Sequence, residues 1–176
     1  GTAIINVPVN FDVLKKAINL LVKYNDSFRM HITSEHNDIK QYVNSFSEFD
    51  IEIIDIESKD EISNIEQSIS KKIFELFNSN LFEFKIFRLP DKTGGFMLNI
   101  HHLLSDSWTL GLICKKIMTI YENLLNNKPI EIIDEQSYIN FLENERNYNS
   151  SSKYEKDKLY WETTFSSVPN IVNLSH

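Results

Sequence analysis

Two adjacent histidines and an aspartate four residues beyond them, in the run His101-His102-Leu103-Leu104-Ser105-Asp106-Ser107-Trp108, are the residues of this 176-residue chain best suited to chemistry. Imidazole ordinarily titrates near pH 6.5, so a neutral histidine can take a proton from a nucleophile at physiological pH. A nearby carboxylate can brace the loop that carries it. The pair closes an apolar run, residues 96–102. In a strand, successive side chains point to opposite faces, so a strand over 96–102 lets only one of His101 and His102 enter a given pocket. Asp106 can bring its carboxylate back beneath the loop or cap the helical pattern that starts at Ser107 or Trp108. A metal site is disfavoured, because adjacent strand histidines diverge and no further Cys/His cluster completes a ligand set.

The elements that must position these residues are read mainly from apolar periodicity, since only 4 Gly and 4 Pro punctuate the chain. Residues 3–9 read as a strand. Asp12 then caps a helix with Leu14, Ala17, Ile18 and Leu21 on one face, ending near Asn25. Residues 28–33 and 39–43 suit an antiparallel hairpin, and 51–56 a short strand. An amphipathic helix over 61–78 buries Ile62, Ile65, Ile69, Ile73 and Leu76. Two apolar runs, 81–89 and 96–102, flank a Pro/Gly turn at 90–95. A long helix to about Asn126 follows, with Leu110, Ile113, Cys114, Ile117, Ile120, Tyr121 and Leu124 on one side. Two polar helices over 136–148 and 153–165 and an extended tail around Pro169 complete the chain. This order predicts an α/β fold, a two-layer sandwich with a mixed sheet covered by helices. Phe74, Phe77, Phe82, Phe84, Phe87, Phe96 and Trp108 are assigned to its packing.

Composition narrows the function classes. A length of 176 residues suits about one domain with a real core, and 41% hydrophobic with 24% charged residues describes an ordinary globular chain. A formal net charge of −7 without a basic stripe argues against a nucleic-acid partner. Acidic residues at Glu131, Asp134, Glu135, Glu143 and Glu145 read as solvated helical surface. The single Cys114 sits within an apolar helical pattern, which suits a core thiol in a reducing compartment. No apolar run reaches the roughly 18 residues of a membrane span, and the first residues lack signal-peptide features, so a cytoplasmic location is expected. The chain also begins in mid-fold, as a piece of a longer protein would.

With these elements in place, residues 99–108 resemble the HHxxxDG signature of condensation domains of nonribosomal peptide synthetases, members of the chloramphenicol acetyltransferase-like superfamily. The likeness extends further. Tyr24-Asn25-Asp26-Ser27-Phe28-Arg29-Met30 resembles the family's R-H-E-x-L-R-T segment through Asp26, Phe28 and Arg29. Tyr138-Ile139-Asn140-Phe141 is similar to its Y-x-D-[FY] segment, and Tyr160-Trp161 to a Tyr-Trp pair near the end of the first of its two lobes. The resemblance implies that residues 1–176 form the N-terminal lobe, with the C-terminal lobe and the opposite wall of the channel absent. It also implies catalysis of amide formation, in which a carrier-bound aminoacyl amine attacks an upstream carrier-bound acyl thioester. No cofactor would be bound directly. The substrates would arrive on 4'-phosphopantetheine arms of peptidyl and aminoacyl carrier proteins, beside a neighbouring adenylation domain.

By the same resemblance His102 is the catalytic residue facing the channel, as base or positioner, and His101 is structural. Asp106 is chiefly structural too, with Arg29 the candidate for an ion pair inside this chain. Ser107 and Trp108 are substrate-channel candidates. The family's glycine after the aspartate is replaced by Ser107, which narrows the site or adds a hydroxyl. A histidine rather than an aspartate at position 101 argues against the cyclising relatives. Two alternatives keep the fold: a lobe of a coenzyme A-dependent O- or N-acyltransferase, and a non-catalytic docking module for a carrier protein. The isolated lobe is expected to be inactive and to expose an apolar face where the second lobe would dock.

Overall fold

A computed structural model describes residues 1–36, 38–130 and 137–167 of the chain. It divides into two compact units, Gly1–Glu135 and Gln136–His176. In the first unit, strand β1 (Thr2–Ile5) leads into helix α1 (Phe11–Tyr24), a hairpin of β2 (Met30–Glu35) and β3 (Asp38–Val43), and the short strand β4 (Ile53–Asp55). Helix α2 (Ile62–Ser70), strands β5 (Phe82–Arg88) and β6 (Gly94–Ile100) and helix α3 (Ser107–Leu125) complete it. The α/β class and the mixed sheet stand as expected. Four strands run in the order β1-β6-β5-β4, antiparallel except for the parallel β4–β5 pair, while β2 and β3 form a separate two-stranded sheet. The predicted tail around Pro169 and the start of the helix predicted from 136 lie outside the described residues.

Strand alternation divides the apolar residues between two faces. Phe82, Phe84, Ile86, Phe96 and Leu98 join Leu14, Ala17, Ile18 and Leu21 of α1 and Ile113, Ile117, Ile120 and Tyr121 of α3 in the main core. Their alternates, Phe87 and Met97, pack with Ile62 and Ile69 of α2 on the opposite face. Strand β6 therefore sits centrally, with a helix pair on one side and α2 on the other. Gly94 and Gly95 allow its neighbours to close in. A Cβ on Gly95 would lie 2.0 Å from the Ala3 carbonyl oxygen of β1, and one on Gly94 2.2 Å from the Phe87 carbonyl oxygen of β5.

The first strand ends at Ile5 rather than at residue 9, and three further expected elements differ in the structure. The cap of α1 is Asn10, whose side chain accepts the Val13 N–H at 3.2 Å; Asp12 lies inside the first turn. Asn10 has the extended backbone an N-cap requires, and Asp12 still complements the helix dipole. The helix predicted over 61–78 stops at Ser70. Beyond it Phe77 bridges Ile32, the Asn78 N–H bonds the Ile32 carbonyl at 2.7 Å, and Asn99 Nδ2 donates to the Ile69 carbonyl at 2.8 Å. Pairing along β2 thus overrides a helical apolar period, and Ile73 is 91% exposed with Leu76 also exposed. Finally, β6 ends at Ile100, so neither histidine belongs to a strand.

The second unit is described as helix α4 (Tyr138–Asn149) and helix α5 (Ser152–Thr164), capped by Ser137 and Ser151. Tyr148 donates its hydroxyl to Asp157 at 2.9 Å, joining the two helices. Tyr138 opens α4, and Tyr160 and Trp161 are exposed on α5. Among the described residues, no helix is long and apolar enough to cross a membrane.

The packing predicts opposite responses for two isoleucines that sequence periodicity treats alike. Ile117→Ala, at a fully buried α3 position, should lower unfolding free energy by about 2–5 kcal/mol in urea titration. Ile73→Ala should change it by less than about 0.5 kcal/mol. A large effect at Ile73 would restore the longer helix.

Candidate active site

The loop between β6 and α3 carries the candidate residues and is anchored at both ends. At its start the His101 N–H donates to the Leu81 carbonyl at 2.8 Å, one residue before β5 begins, and the Leu104 N–H closes a turn on the His101 carbonyl at 2.9 Å. At its end Asp106 is the N-cap of α3. Its Oδ1 accepts the Thr109 N–H at 2.8 Å and the Thr109 hydroxyl at 2.6 Å. Those two donors, hydroxyl first, hold the exposed Asp106 carboxyl below its ordinary value of 3.8.

The two histidines have different surroundings, although the alternation argument fails with the strand's end. A turn separates them instead. The His101 ring is half-buried, meets the Phe74 ring edge-on at 6.3 Å, and its Nδ1 accepts the Leu103 N–H at 3.1 Å. In the neutral ring that acceptor role leaves the proton on Nε2. His102 is exposed, with Nδ1 3.1 Å from the Ser105 carbonyl oxygen. A carbonyl can only accept, so Nδ1–H of His102 is the donor. The neutral His102 ring therefore carries its lone pair on Nε2, which meets no partner among the described residues and is available to receive a proton, while His101 has its basic nitrogen occupied.

Arg29 and Asp106 do not meet: no ion pair joins them among the described residues. Arg29 ends the short 3-10 turn Asp26–Arg29, and its Nη1 donates to the Asn44 carbonyl at 2.7 Å, beside the hairpin, while its buried Nε finds no hydrogen-bond partner among the described residues. The Asp106 carboxylate is taken by the helix cap. Ser107 is the first residue of α3 and exposed, and it is not among the residues with positive φ, so the backbone there has no need of glycine. Trp108 is 77% exposed rather than packed, because it lies on the side of α3 opposite the Ile113/Ile117 stripe. Leu112, one turn on, and Leu103 are exposed as well, giving the loop an apolar surround. Phe77 is also exposed, whereas Phe82, Phe84, Phe87 and Phe96 are buried as expected.

Thr109 was not among the residues singled out from sequence, yet it makes both side-chain bonds to Asp106. The Asp-x-x-Thr spacing at the start of an apolar helix is the available signal. The Ser105 carbonyl, by contrast, is backbone and has no residue-type signature. Cys114 is half-buried, and burial pushes its thiol up, which suits an inert packed sulfur. No group of three or more His, Cys, Asp or Glu side chains positioned to hold a metal occurs among the described residues.

Comparison with known proteins decides the family. The Condensation domain model matches residues 2–175. The chain belongs to the condensation domain family. It is 29% identical over 171 residues to surfactin synthase subunit 1 of Bacillus subtilis, covering 94% of this chain and 5% of that protein. A dimodular nonribosomal peptide synthase of the same organism is 24% identical over 180 residues, covering 97% of this chain and 7% of that protein. The fold matches the starter condensation domain of the rhizomide synthetase with a TM-score of 0.82 at 16% identity, over 95% of this chain and 42% of that one. It also matches the epimerization domain from the third module of tyrocidine synthetase B, with a TM-score of 0.80 at 18% identity, over 98% and 40% of the two chains. The chain thus spans about a twentieth of the curated relative's length and about two-fifths of these solved chains.

The cap makes a pH prediction. A carboxyl depressed in the folded state adds stability that is complete above its ordinary value of 3.8 and is lost as the pH falls through the lower folded value. Asparagine caps as well as aspartate but does not titrate. Asp106→Asn should therefore show a shallower loss of Tm below about pH 4 than the native chain. Parallel acid limbs would show that the Thr109 bonds leave no stabilising imprint.

Proposed function

We propose that the chain is the histidine-bearing N-terminal lobe of a condensation domain, whose parent joins a carrier-bound acyl thioester to a carrier-bound aminoacyl amine. The observation that carries this reading is the state of His102: in a member of this family, Nδ1–H is committed to the Ser105 carbonyl and Nε2 stands exposed as a proton acceptor. The substrates would be presented on 4'-phosphopantetheine arms by carrier proteins, with an adenylation domain as neighbour and a cytoplasmic location. The second lobe would supply the other channel wall, over the loop surround of Leu103, Trp108 and Leu112.

In the reaction the amine nitrogen attacks the thioester carbonyl carbon, forming the C–N bond and a positively charged nitrogen. His102 Nε2 takes that nitrogen's proton. Collapse of the tetrahedral intermediate breaks the C–S bond, and the imidazolium returns the proton to the departing thiolate. General-base transfer of this kind contributes about 10²–10⁴-fold, and holding both tethered reactants together contributes at least as much. His101 serves the loop through its bond to Leu103 and its packing on Phe74. Asp106 serves through the α3 cap, and Ser107 adds a hydroxyl at the first turn of α3 where the family carries hydrogen.

The test is single-turnover amide formation in the synthetase that contains this chain. His102→Ala should lower the rate about 10²–10⁴-fold. His101→Ala should act mainly through thermal stability, and the 176-residue chain alone should give no product. The reverse ranking of the two histidines, or turnover by the isolated chain, overturns the reading. A preference for a coenzyme A donor over a carrier-bound one would move it to the acyltransferase alternative.

A further inference from the structure

The tautomer of His102 depends on the direction of one carbonyl, and that carbonyl is held from outside the loop. Ser105 and Asp106 share a trans peptide, in which C=O and N–H point to opposite sides. Asp106 holds the extended backbone of an N-cap, with φ −122° and ψ −176°, and its side chain accepts the Thr109 N–H. The peptide that enters this fixed residue directs the Ser105 carbonyl onto His102 Nδ1 at 3.1 Å. What keeps the carboxylate there is Thr109, through its N–H at 2.8 Å and its hydroxyl at 2.6 Å to the same Oδ1. The Leu110 N–H, on the Asp106 carbonyl at 3.2 Å, fixes the other side of the same residue.

We propose that Thr109 is a positioning residue that sets the protonation site of His102, acting through the Asp106 carboxylate and the Ser105 carbonyl. A histidine side chain free in water prefers its proton on Nε2, the form useless as an Nε2 base. With the Ser105 carbonyl aimed at Nδ1, that form would set lone pair against lone pair, so the ring keeps its proton on Nδ1. The hydroxyl of Thr109 is the part of this relay that a backbone cap alone does not supply. The consequence for catalysis rests on the reading of His102 as proton acceptor; the tautomer lock does not.

The experiment is nitrogen-15 NMR of the histidine rings in the 176-residue chain, at a pH where His102 is neutral, assigned by comparison with His102→Ala. The native chain should show His102 chiefly as Nδ1–H. Thr109→Val, which removes the hydroxyl and keeps the shape, should raise the Nε2–H share several-fold while the amide spectrum stays folded, and Thr109→Ser should restore the native pattern. Should the valine variant fail to fold, Thr109→Ala removes the same hydroxyl with a better helix former. A native ring already protonated on Nε2, or an unchanged tautomer in the folded variant, overturns the proposal. In the parent synthetase Thr109→Val should lower kcat with KM unchanged. A shifted tautomer with undiminished kcat would leave the lock standing and remove His102 as the proton acceptor.

Discussion

At Gly94 and Gly95 strand β6 lies so close to its neighbours that a side chain would collide with them, and the loop that carries His101, His102 and Asp106 leaves from the end of that strand. With Gly94 and Gly95 against the backbones of β5 and β1, the register is fixed along the strand: Gly95 faces Ile4 and Phe87, and Ile100 faces Phe82. Because a slip of one residue would turn Phe96 and Leu98 out of the core and Met97 into it, the register is also set by packing on both faces. The strand must then end where β5 begins. The last bond of the ladder, His101 N–H to the Leu81 carbonyl, releases the chain into the loop with His102 outside the sheet.

From that exit the chain has five residues before α3 captures it at Asp106. Such a short span, pinned by the sheet at one end and by a helix cap at the other, leaves little freedom for the backbone between. Function is then a matter of which polar group each histidine meets. His101 meets a backbone N–H and gives up its Nδ1 lone pair; His102 meets a backbone carbonyl and keeps its Nε2 lone pair. Two identical residue types thus acquire opposite tautomers from the main-chain groups that face their Nδ1 atoms. The Asp106 carboxylate is engaged in the cap of α3.

The sequence carried the core well because apolar period and burial agree there: Leu14, Ala17, Ile18 and Leu21 on α1 and Ile113, Ile117, Ile120 and Tyr121 on α3 are buried as their spacing requires. It misled where the same period continued past a helix's end. Ile73 and Leu76 keep step with Ile62, Ile65 and Ile69, yet Phe77 and Asn78 pair with Ile32 of β2, a long-range partner that no local window contains. For the site, the motif spacing points to His102 and Asp106 as candidates. It could not reveal that β6 stops before His101, that Arg29 is spent on Asn44, or that the Ser105 carbonyl selects the tautomer, since each depends on where backbone groups point. Ser107 lies in the first turn of α3 without a positive φ, so the backbone there accommodates a side chain.

Chemical rescue tests the central claim, that His102 supplies a proton acceptor and not merely bulk. In the intact synthetase carrying His102→Ala, added imidazole should restore amide formation in proportion to its concentration and to the fraction in the neutral form, while the same base leaves the native enzyme unchanged. Undiminished amide formation in that variant without imidazole would contradict the account.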